Sequence, residues 1–136
     1  MNIHLRRTLI AATLTAILIV AAAGPVAAHH SFSAFNTTEQ KTVTGTVKKV
    51  EWTNPHIWVW LDVPNEQGGV DAWGFEGMSP NYLERRDWTR TTLKVGDKLT
   101  VTFNPMRNGD NGGMFVNGKM GTGKVLTMSG GQGGGQ

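Results

Sequence analysis

Residues 56–63, HIWVWLDV, alternate without a break. Ile57, Val59, Leu61 and Val63 fall on one side; His56, Trp58, Trp60 and Asp62 fall on the other, which is the period of a half-buried strand. The preceding run 41–52, KTVTGTVKKVEW, is rich in Val and Thr and predicts a long first strand. Its parity changes part-way: Val43 and Val47 are in phase, and Val50 and Trp52 are in the opposite phase. That change predicts a bend at Gly45 or a bulge at Lys48-Lys49. PNEQGG (64–69) reads as a turn, so VDAWGFEG (70–77) becomes a third strand in a hairpin with the second.

The period then changes. In SPNYLERRDW (79–88), Ser79 stands where an N-cap belongs and Pro80 at the first helical position, predicting a helix of about two turns. LKVGD (93–97) turns the chain into a fourth strand, KLTVTFNP (98–105). MRNGDNGG (106–113) reads as a loop, and 114–129 as a fifth strand, broken into a hairpin at Asn117-Gly118 or around Gly121. GKMGTGKV (118–125) imitates a phosphate-binding loop, but Val125 replaces the magnesium-holding hydroxyl and no helix follows, so a glycine-rich turn is expected. Three strands, a short helix and one or two more strands is the order of an OB-like five-stranded barrel, mainly β, with its helix between strands 3 and 4. The alternative is an open, sandwich-like meander.

Ahead of the strands, Arg6 and Arg7 precede an apolar run, 8–23, followed by Gly24-Pro25 and by Val26 and Ala28 at the −3 and −1 positions of a cleavage site. Residues 1–28 therefore read as a secretory signal peptide, implying a periplasmic or secreted protein that meets the membrane only through this segment before cleavage. His4 goes with the signal. Removing 28 of the 136 residues leaves one small domain, 29–128 with an N-terminal arm, and a flexible glycine-rich tail at 129–136. The whole chain has 13 basic and 10 acidic side chains; loss of Arg6 and Arg7 leaves 11 against 10. A nearly neutral exported domain is not expected to bind nucleic acid. With no cysteine, it has neither disulfides nor thiolate metal sites.

HHSF (29–32), GTVKKVEWTNPHIWVWLDV, WGFEGMSPNYLERRDWTR and LKVGDKLTV together resemble an uncharacterised family of small exported bacterial proteins, a domain of unknown function. Its pattern runs H-H-S-F, then G-x-V-x-x-V-E-W-x-N-P-H, then S-P-N-x-L-x-R-x-G-W. The resemblance spans nearly all of 29–128 and implies export and an OB-like β fold, with no activity, cofactor or catalytic residue attached. The chain departs from the pattern at Asp87, where Gly is expected, and in its glycine-rich end.

Chemistry must therefore come from the residues. Cleavage after Ala28 makes His29 the N-terminus, joining a free amine and an imidazole on one residue. With His30 in support and His56 as a third ligand, such a nitrogen-rich set suits Cu(II) first and zinc or nickel next. The plainer expectation is a polar processing junction and a histidine that bonds to a turn. A metal-free alternative uses Trp58, Trp60 and Asp62 on the outer strand face, with Trp73 and Phe75 beside them, to bind a glycan, a peptide or a protein partner of the cell envelope. There the plainer expectation is a satellite core under Phe32 and Phe35 of the arm. Glu51, Asp62 and Glu76 are scattered strand carboxylates, no nucleophile–base arrangement stands out, and no enzyme is expected. Glu84, Arg85, Arg86 and Arg90 read as a solvated helix face.

Overall fold

The computed structural model describes residues 33–128. The proposed signal peptide, His29, His30, Phe32 and the tail 129–136 lie outside the described residues. Among the described residues, six strands and one helix follow in the order β1 (Lys41–Glu51), β2 (Trp58–Pro64), β3 (Val70–Glu76), α1 (Pro80–Glu84), β4 (Lys98–Pro105), β5 (Gly112–Met120) and β6 (Val125–Thr127).

The sheet order is β3-β2-β1-β4-β5-β6, and a further parallel pairing joins β3 to β5. That pairing closes five strands into a mixed barrel with OB-like connectivity, and β6 is a short hairpin added to β5. Closure removes the exposed edges that an open five-stranded sheet would carry. β3 and β5 meet at only three pairs: Gly74↔Gly112, Phe75↔Gly113 and Glu76↔Met114.

The long first strand bends as its parity predicts. Its register against β2 shifts between Val47 and Lys49, so a bulge sits at Lys48. Gly45 is needed at the close approach of β1 to β2, because a Cβ there would lie 2.8 Å from the Asp62 carbonyl oxygen. The β2 alternation holds throughout: Ile57, Val59 and Leu61 are fully buried and Val63 nearly so. They share the core with Phe75, Leu99, Val101, Phe103 and Phe115. Phe75 is at its aromatic centre, 5.1 Å from Phe103 and 6.4 Å from Phe115 between ring centroids.

The helix begins as read, with the Ser79 hydroxyl accepting from the Tyr82 amide and Pro80 in the first turn. It is shorter than the span 79–88, ending at Glu84. Leu83 and Trp88 turn into the barrel core, and the chain between them passes through Asp87 at φ 62°. That left-handed conformation is why the related pattern carries Gly, and Asp is among the few other residues that adopt it. Arg86 stacks on the Tyr82 ring at 3.7 Å, and Arg90 donates to the Trp52 carbonyl.

Two strand starts differ from the sequence expectation. β2 starts at Trp58, after a cis Asn54-Pro55 bond, with His56 just ahead of it. β5 starts at Gly112, inside the expected loop. Its turn into β6 is at Gly121–Gly123, the second of the two expected positions, with Gly123 at φ 90° and its amide donating to the Met120 carbonyl.

Candidate functional site

In antiparallel pairs, residues opposite one another share a face of the sheet. The register of β1, β2 and β3 therefore builds an outer grid: Glu51–Trp58–Glu76, then Lys49–Trp60–Gly74, then Thr46–Asp62–Ala72. The bulge adds Lys48 to this side, where its ammonium lies 3.1 Å from the Asp62 carboxylate. Two adjacent lysines thus reach the same face, which an unbroken strand would not allow.

Trp58 and Trp60 stack side by side, with ring centroids 5.7 Å apart and planes 20° from parallel. Both are half-buried. Trp60 lies directly over Gly74: a Cβ there would come within 2.6 Å of its Cζ3. Its Nε1–H donates to Glu51 Oε2 at 3.1 Å, and the other carboxylate oxygen of Glu51 takes the Lys49 ammonium. The missing side chain at position 74 and the bond to Glu51 together fix the indole. Beside it opens a pocket of about 400 Å³ lined by Lys48, Lys49, Glu51, Trp60 and Ala72.

These donors hold the Glu51 carboxyl below its ordinary value of 4.5, the Lys49 hydrogen bond first and the Trp60 indole second. A depressed carboxylate contributes stability that is complete above the unfolded value and fades as pH falls through the lower folded value. The Trp60 Nε1–H resonance should therefore shift with a midpoint below the ordinary value of 4.5, and in Glu51→Gln that step should vanish. A step at or above pH 4.5 would contradict the bond.

At the other end of the grid, His56 Nδ1 lies 2.5 Å from Glu76 Oε1, with the two side chains 29% and 15% exposed. Among the described residues, no three His, Asp or Glu side chains gather closely enough to hold a metal. Glu51, Asp62 and Glu76 each face a separate cationic or imidazole partner: Lys49, Lys48 and His56. His29 and His30 lie outside the described residues.

Trp73 requires a correction. It stands opposite Leu61, on the core side of the hairpin, and packs edge-on against Phe103 at 5.9 Å between centroids. Phe75 is fully buried on that same side. The outer aromatic surface is therefore Trp58 and Trp60 without Trp73. Phe35 of the arm is buried and bridges to Met106, and the arm is tied to β4 by Asn104, whose amide donates to the Glu39 carbonyl at 2.7 Å. Lys48, Lys49, Gly74 and Ala72 are the site residues that sequence reading missed; the parity change in β1 was the available signal for the two lysines.

The sequence pattern of a family of unknown function, DUF6152, matches residues 16–116. The chain belongs to that family. The DUF6152 match takes in HHSF, β1 to β4 and the closing glycines of β5, so it covers every strand of the outer grid. Neither a curated protein nor a solved structure matches the chain.

Proposed function

We propose that this DUF6152 member is an exported, non-enzymatic binding protein of the periplasm or cell exterior, and that its ligand face is the outer surface of β1, β2 and β3. One observation carries the reading: two stacked indoles stand on the face turned away from the core, one of them fixed over a glycine and beside a pocket. An aromatic ring held in place before binding loses little entropy on contact, which favours recognition. This is also the face that OB barrels in general use for ligands. The test is a nitrogen-15 NMR titration of the processed protein with hexasaccharides, with a pool of decapeptides and with Cu(II), added separately. A sugar or peptide that shifts the Trp60 and Lys49 resonances supports the face. Silence there in all three titrations contradicts it.

The His56–Glu76 contact favours a second reading, Cu(II) capture with His29 and His30. A carboxylate that engages one imidazole nitrogen orients the ring and leaves the other nitrogen for a metal. Under this reading, protein that begins at His29 takes up one copper per chain. Adding one residue before His29 removes the free amine from the donor set and weakens binding by at least about tenfold. Calorimetry on the two forms checks it, and equal affinities would rule it out.

A further inference from the structure

We infer that the ligand of this face is a saccharide, seated against Trp60 with its hydroxyls read by Glu51, Lys48 and Lys49; the inference rests on the outer-face reading above. A sugar ring presents C–H groups on its flat sides and hydroxyls around its rim. The flat sides suit an indole face, and the hydroxyls both donate and accept. The pocket supplies both halves: one fixed indole, a carboxylate acceptor at Glu51, and ammonium donors at Lys48 and Lys49, with Asp62 bonded to Lys48 beside the lining. Every one of these charges is already paired. Paired ions leave the face close to neutral while still offering strong hydrogen-bonding groups, which suits a polyhydroxylated ligand.

Other ligand classes fit less well. A nucleic-acid strand needs unpaired positive charge along its track, and both lysines here are neutralised by carboxylates. A peptide anchored by side chains needs an apolar cleft. Here one large apolar side chain, Trp60, lines the pocket, with the Ala72 methyl group and the lysine methylenes beside it, so the pocket offers a single anchor point rather than a row of side-chain subsites. The pocket volume, about 400 Å³, is at the small end of ligand sites and suits a short stretch of sugar rather than a folded partner.

The test uses the processed full-length protein and three hexasaccharides: a neutral glucan, chitohexaose and hexagalacturonate. The expected result is saturable binding of at least one at about 1 mM or below, seen as a tryptophan fluorescence change and by calorimetry. Trp60→Ala should weaken it at least about tenfold, and Glu51→Gln by a smaller factor. Gly74→Ala should also weaken it, because it lifts the indole from its seat. Lys124→Ala, an exposed position between β5 and β6 and outside this face, should leave sugar affinity unchanged. Circular dichroism and thermal melts confirm that each variant is folded. Failure of all three sugars to bind overturns the inference. If the decapeptide pool binds instead, and Trp60→Ala abolishes that binding, the face survives as a binding surface while its saccharide assignment falls.

Discussion

Phe75→Ala should remove about 3–5 kcal/mol of folding stability, the range for truncating a buried aromatic side chain. Phe75 is fully buried, and among the described residues it is the one ring in contact with Trp73, Phe103 and Phe115 together. Removing it leaves a cavity bounded by β3, β4 and β5, whose backbones are fixed by barrel closure and cannot collapse inward. Domains of this size have about 5–15 kcal/mol in all, so the variant should be close to unfolding at ambient temperature. Urea denaturation checks this: the midpoint should fall sharply with little change in slope. A loss under about 1 kcal/mol would mean that the β3–β5 interior is not close-packed.

Gly112→Ala should be comparably severe for a different reason. Gly112 has φ 140°, and a Cβ there would lie 1.9 Å from the Gly74 carbonyl oxygen. The neighbouring Gly113 is equally confined, its Cβ position 2.0 Å from the Asn104 carbonyl oxygen. These glycines let β5 reach β3 and β4 at once, and the seam they form is only three pairs long. A methyl group cannot be accommodated by rotating a side chain, because both obstacles are backbone. The expected loss is about 3 kcal/mol or more, from backbone strain and displacement of the seam together. Hydrogen exchange should localise it: the Gly74 amide, which donates to the Asn111 carbonyl at 3.2 Å, should lose protection along with the rest of the seam. Wild-type protection in β3 and β5 would contradict this account of closure.

These two residues also mark what could be read from the sequence. Alternation in β2 identified the core face correctly because one aliphatic residue at every second position leaves no other assignment. The parity change in β1 located the bulge, since a bulge is the means by which a strand changes which side its odd residues occupy. Ser79-Pro80 located the helix start because capping is local chemistry. Trp73 was placed on the wrong side for want of register. A shift of one residue moves every side chain to the opposite face, and the register follows from the length of the 65–69 turn, not from the composition of β3. Gly112 and Gly113 read as loop because their role is a non-local close approach, invisible until β3 is alongside. Likewise, Gly74 is legible as the seat of Trp60 only once the hairpin is aligned. Two indoles on the outer face were therefore anticipated, whereas their stacking and the means of fixing them were not. His29 and His30, central to the copper reading, lie outside the described residues.

The central claim is that Trp58 and Trp60 form an open binding face, not an extension of the core. The most direct measurement is graded N-bromosuccinimide oxidation of the native, processed protein, with peptide mapping by mass spectrometry. The account predicts that Trp58 and Trp60 react first. Trp52 and Trp88, only 7% and 4% exposed, should stay intact until the protein unfolds. If Trp58 and Trp60 prove as protected as Trp88, the outer face is covered, the indole pair is a satellite core, and the binding-face account fails.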